Sequence, residues 1–185
     1  MTLSTNDFDV RSLWQVAAIC VMVLAWGSGT SGFAQTPSTT IENGNGDLRF
    51  QLNYDGGLYM PGTFEPASPA DSIPATGAGT RMMWYPAKAA FRAGRITSPP
   101  GDDWNADNIG VHSVAFGEDT RASGYSSMAV GLFSEATNTG ALAVGAFGPT
   151  ASGYSAVALG EQTAAIGNHA TAMGEYTTAA PSNSL

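Results

Sequence analysis

Cysteine, histidine and lysine are almost missing from this 185-residue chain: one Cys20, one Lys88, and two histidines, His112 and His169. Without a second cysteine there is no disulfide framework, and thiol or zinc chemistry loses its commonest parts. Charge is also scarce and mostly of one sign, with seven basic against fifteen acidic residues and a net charge of −8. A chain of that balance with no basic cluster is a poor partner for nucleic acid or an anionic lipid surface. No phosphate-cradling or dinucleotide fingerprint occurs, because the glycine-rich stretches carry no lysine and lead into no helix. These absences exclude most enzyme classes, and no catalytic set, cofactor or metal site is expected.

What is abundant is glycine, with 23 residues, and it is placed periodically. Between 109 and 179 one short pattern occurs five times, as IGVHSVAFGEDTRA (109–122), SGYSSMAVGLFSEA (123–136), TNTGALAVGAFGPTA (137–151), SGYSAVALGEQTAA (152–165) and IGNHATAMGEYTTA (166–179). Gly117, Gly131, Gly145, Gly160 and Gly174 mark one turn of the unit. Gly110, Gly124, Gly153 and Gly167 mark the other, with Asn138 in the glycine position of the third copy. A fixed period has to be read before anything else. Fourteen residues leave no room for two helices. The pentads SVAFG, SMAVG, ALAVG, AVALG and ATAMG alternate large and small side chains at period two, as strands with unlike faces do. The expected fold is all-β, a solenoid of two-strand coils stacked in parallel about 4.8 Å apart.

One face of those strands repeats Ala115, Ala129, Ala143, Ala158 and Ala172. The other repeats Val114, Phe116, Met128, Val130, Leu142, Val144, Val157, Leu159 and Met173. So narrow a coil can enclose one set only. Whichever face fills it, the other needs a partner, and identical coils offer the same spacing in every copy. The sequence leaves open which face is which.

The SVAFG, SMAVG, ALAVG and AVALG segments, each followed by a turn and an A-x-G or A-S-G step, resemble the head repeats of YadA-like trimeric autotransporter adhesins. The resemblance implies a left-handed parallel β-roll of three identical chains at the tip of a surface fibre. It implies a homotrimer, no catalysis, and a ligand such as an extracellular matrix protein or a polysaccharide. A structural segment of a phage-tail-like or secreted fibre is the other reading. The extra residue near Gly148-Pro149 and the Asn138 substitution depart from the pattern and are expected to bulge a turn without ending the roll.

The rest of the chain reads around that roll. Residues 1–34 look like an export signal, with an apolar run from 13 to 26 that is short of the about 20 residues of a membrane span. Asp7 and Asp9 are unusual in such a leader, and an uncleaved anchor is the alternative. Residues 35–46 read as a flexible lead-in. Leu48, Phe50, Leu52 and Tyr54 alternate ahead of Asp55-Gly56, as in a hairpin that returns by Phe64. The region 47–108 as a whole is a hairpin and an aromatic cap. In its TRMMWYPAKAAFRAG stretch, Arg81, Trp84, Tyr85, Phe91 and Arg92 either cap the end of the roll or form a ligand patch. A GTRMMWYP…KAAFRAG segment of this kind resembles one that precedes head repeats in some bacterial surface proteins. Asp102, Asp103 and Asp107 lack the spacing of a calcium loop and read as a solvated turn. Residues 180–185 read as a tail, with neither heptads nor barrel strands, so no membrane anchor is read in this chain.

Overall fold

Each copy of the repeat folds into one long and one short strand, and the glycines turn the chain between them. The computed structural model describes residues 37–53, 55–67, 73–97 and 101–185. The expected export signal, Tyr54 and the rest of the chain lie outside the described residues. The long strands are β6 (Val114–Glu118), β8 (Met128–Leu132), β10 (Leu142–Ala146), β12 (Val157–Glu161) and β14 (Thr171–Glu175). The short ones are β7 (Arg121–Ala122), β9 (Glu135–Ala136), β11 (Thr150–Ala151), β13 (Ala164–Ala165) and β15 (Thr178–Ala179). All neighbours within each set pair in parallel, one copy apart, with Val114 beside Met128, Met128 beside Leu142, Leu142 beside Val157 and Val157 beside Thr171. The fold is a parallel β-solenoid of five coils, and no α-helix occurs among the described residues.

The small face is inside. Ala115, Ala129, Ala143, Ala158 and Ala172 are at most 3 % exposed, as are Ala122, Ala136, Ala151, Ala165 and Ala179 across from them. Ser113, Ser127, Ser134, Thr120 and Thr163 complete the lumen. Two sheets joined by tight corners leave room only for small side chains. Of the buried hydroxyls, Ser113 Oγ donates to the carbonyl of Gly110 (2.6 Å), Ser127 Oγ to that of Gly124 (2.8 Å) and Ser134 Oγ to that of Val130 (2.8 Å), whereas those of Thr120 and Thr163 have no hydrogen-bond partner among the described residues.

The corners explain the glycines. A Cβ on Gly117, Gly131, Gly145 or Gly160 would lie 1.7–1.9 Å from the carbonyl oxygen of the equivalent glycine one coil on, and all four have φ between +122° and +148°. In the third coil the inserted residue is Gly148, at φ +86°, with buried Pro149 behind it in the Thr/Ser position. Asn138 Nδ2 donates to Ser152 O (3.0 Å). Pairing resumes at once, with Thr150 beside both Glu135 and Ala164. The insertion bulges one corner, as expected, and the roll continues.

Ahead of the coils, β4 (Gly79–Tyr85) and β5 (Ala90–Ile96) form an antiparallel hairpin, and β5 pairs in parallel with β6. The long sheet therefore has seven strands. A separate antiparallel sheet contains β1 (Pro37–Glu42), β2 (Leu48–Asn53) and β3 (Leu58–Tyr59). Residues 37–42 thus form a strand where a flexible lead-in was expected. Thr39, Thr40 and Ile41 suit a pleated strand, and Asn43 Oδ1 accepts from the N–H groups of Asn45 and Asp47 to close the turn to β2. Residues 180–185 likewise correct the expectation of a plain tail. They trace the first corner of a further coil, with Thr171 N donating to Ser184 O (2.7 Å) and Asn183 N to Asn168 O (2.8 Å).

Candidate functional site: the outer face and the cap

With alanine inside, the large side chains line the outside of the long sheet in two columns. Val114, Met128, Leu142, Val157 and Thr171 share one, and Phe116, Val130, Val144, Leu159 and Met173 share the other. They are half-buried or exposed, rising to 61 % at Met173. No charge interrupts either column. Soluble monomers seldom show so long an apolar strip, and its polar margin, with Glu118, Glu161 and Glu175, has the make-up of an interface rim.

The five residues expected to act together as a cap or ligand patch are divided by the alternation of the hairpin. Tyr85 and Arg92 point inward and are completely buried, whereas Trp84 pairs with Phe91, and Phe91 with Val114, on the outer face. Arg81 donates from Nη2 to Gly77 O (2.8 Å) and lies 5.2 Å above the ring of Trp104, its pKa lowered by burial. A single open patch of all five is not formed.

Register shows how the hairpin meets the first coil. Ala90-Phe91-Arg92-Ala93-Gly94 runs beside 113–117 as if it were another pentad, with Arg92 in the column of the lumen alanines and Gly94 in that of the corner glycines. That strand has no short-strand companion among the described residues, so Thr120 O lacks the backbone donor that Arg121 N gives to Ser134 O one coil on, while Ala122 O still accepts from Gly110 N (2.9 Å). Side chains add to these contacts. Trp104 Nε1 donates to Thr120 O (2.8 Å), and Arg92 donates from Nη2 to Ala122 O (3.0 Å) and Ser113 Oγ (2.7 Å) and from Nη1 to Ser113 O (3.0 Å) and Phe91 O (2.8 Å). Burial pushes the Arg92 pKa down to about 10, which leaves it protonated at neutral pH. Lys88 is tied in the same way, with Nζ donating to Ala106 O (2.5 Å) and Ile109 O (2.7 Å). Its pKa is lowered first by burial and further by Arg92, against the opposing pull of Asp107. The sequence did hold the signal for Arg92, since A-F-R-A-G is the repeat pentad with one substitution. Arg92→Ala opens the mouth of the lumen and removes four charge-assisted hydrogen bonds, at an expected cost of about 3 kcal/mol. A thermal midpoint equal to wild type would overturn this role.

Several polar groups elsewhere make contacts within the chain. Asp119 accepts from Thr97 N (2.7 Å) and from Thr97 Oγ1, which ties the end of β5 to the first corner. Asp103 has its pKa raised chiefly by burial, with Arg121 opposing. Arg121 and Glu135 pair at 2.6 Å with about a third of each side chain exposed. Solvent screens such a pair, and Arg121→Ala is expected to cost under about 1 kcal/mol in a denaturant titration. The two histidines sit four coils apart. His112 packs between Phe64 (5.3 Å) and Tyr125 (5.2 Å), and His169 against Tyr154 (5.4 Å). No group of metal ligands occurs among the described residues.

The geometry defines the class first: a parallel β-solenoid of short coils with a lumen of small residues and two uncharged outer columns. The family model of the YadA head domain repeat matches residues 109–134, 122–147 and 151–177. The coils are therefore similar to YadA head repeats, which imply a domain like that of trimeric autotransporter adhesins. No curated protein and no solved structure matches the chain.

Proposed function

We propose that the chain is a surface adhesin head that assembles as a trimer through the two apolar columns and has no catalytic role. The observation that carries the reading is the division of labour in the pentad. Alanine satisfies the lumen, so Val130, Val144 and Leu159 are large for no purpose inside their own chain. Three copies facing one axis would cover those columns, and a net charge of −8 makes an uncharged strip the natural place for like chains to meet. Attachment would use the surfaces left outside the assembly. Exposed aromatics recur there at the corners, with Tyr125 and Tyr154 along one edge and Phe133, Phe147 and Tyr176 along the other. Repeated over coils and chains, weak contacts of aromatic rings with a matrix protein or polysaccharide add up through avidity. Export to the cell surface, led by residues 1–34, belongs to the same proposal.

Light scattering on the purified chain tests the assembly, with a mass of three chains expected. Adhesion is tested by binding the trimer to immobilised matrix proteins and polysaccharides, and by probing whole cells for the exposed chain. A monomer would refute the trimeric head. A trimer that binds no member of the panel would favour a structural fibre segment.

A further inference from the structure

The cap hairpin carries the outer columns beyond the repeats. Register places Trp84 beside Phe91 and Phe91 beside Val114, and it places Met82 beside Ala93 and Ala93 beside Phe116. Each column therefore runs through seven strands, from Trp84 to Thr171 and from Met82 to Met173. If the hairpin served only to close one chain's lumen, its inward residues would suffice. Met83, Tyr85, Ala87 and Arg92 do that work and are buried. The outward positions would then be free to be polar, as they are on most edge strands. Instead they are Met82, Trp84, Phe91 and Ala93, and Met82 is 70 % exposed.

We propose that this outward face of β4–β5 is part of the contact between copies of the chain, so that the cap is held by its neighbours in the assembly. Three observations favour a second copy over any other occupant. The face is continuous with the repeat columns, in the same strand register. It is free of charge across both columns, although the hairpin carries Arg81, Arg92 and Arg95, of which Arg92 is turned into the lumen and Arg95 lies beside Glu118 at the margin. The spacing between strands is the same in the cap as in the coils, so two copies that match at one rung match at all seven. The cap would lengthen the contact by two rungs beyond the five of the repeats.

This inference rests on the self-association proposed above, and the test separates the two. Met82 and Met173 are the exposed ends of one column. Single-cysteine variants Met82→Cys and Met173→Cys, each in a Cys20→Ser background of the full chain, can take a nitroxide label at an exposed side chain without disturbing the lumen. Dipolar spectroscopy then reads the separation between labels on neighbouring copies. The same short separation at both ends is the expected result. A short separation at 173 with a long or broad one at 82 would mean that the caps splay apart, which overturns this inference and leaves the trimer standing. No dipolar coupling at either position, with the mass of one chain in solution, would overturn both.

Discussion

Gly131→Ala should disrupt the roll at its middle, whereas Gly174→Ala should be tolerated far better. The two positions share a backbone conformation, with φ of +122° and +110°, so both substitutions place an L side chain where it is strained by about 1–3 kcal/mol. They differ in what the new methyl meets. At Gly131 the Cβ falls 1.7 Å from Gly145 O and 2.8 Å from its carbonyl carbon, both of them backbone atoms. At Gly174 the nearest atom is Thr177 Cγ2 at 3.7 Å, an ordinary contact. Relief at 131 requires the second and third coils to move apart, and that breaks the pairing of β8 with β10. A solenoid is held by its nearest-neighbour interfaces, so losing one in the middle uncouples the halves. The expected penalty for Gly131→Ala is about 3 kcal/mol or more beyond that of Gly174→Ala, or roughly 10 °C in the thermal midpoint for a chain of this size. Melting curves that coincide would remove close coil stacking as the reason for the glycines.

The glycine columns are also why the solenoid could be read from sequence. A backbone contact at fixed spacing leaves a residue-type mark in every copy, and five marks in phase fix the coil length. The choice of inner face leaves no such mark. Both faces are apolar by residue type, and which one fits depends on the distance between two sheets, a property of the folded backbone. The cap was half legible. Its aromatic content suggested a lid, but the role of Arg92 lay in a pentad with one altered letter, hidden because arginine is a poor guess for a lumen. Its charge is tolerable there because backbone carbonyls of the unfinished first coil surround it. Pro37–Glu42 was missed for a different reason. Proline, serine and threonine resemble a linker until a partner strand, here Leu48–Asn53, supplies the other half of the ladder.

Val144→Asp should abolish assembly and leave the roll folded. Val144 lies at the centre of its column, between Val130 and Leu159, on the outside of the long sheet. In one isolated chain the new carboxylate can therefore reach water, and the coil beneath it, with Ala143 and Ala158 inside, is not disturbed. In a trimer the same group would be buried without a partner, at a cost of several kcal/mol per chain. Three such carboxylates near one axis would repel one another as well. Both effects raise the pKa of the carboxyl in the assembled form above its value in the free chain. An acid whose pKa is raised on association weakens that association as pH rises through the raised value, and the penalty is absent below the free value. The variant is accordingly expected to be a folded single chain at neutral pH and to recover its trimeric mass on acidification. Thr178→Asp, on the exposed side of the short sheet, should remain trimeric throughout and serves as the control for added charge. Because the large residues face outward, the two failures now differ in meaning. A Val144→Asp chain with the mass and melting curve of the wild-type trimer would show that copies meet elsewhere, and the solenoid would stand. A Val144→Asp chain that does not fold at all would show that the outer column also supports the single roll.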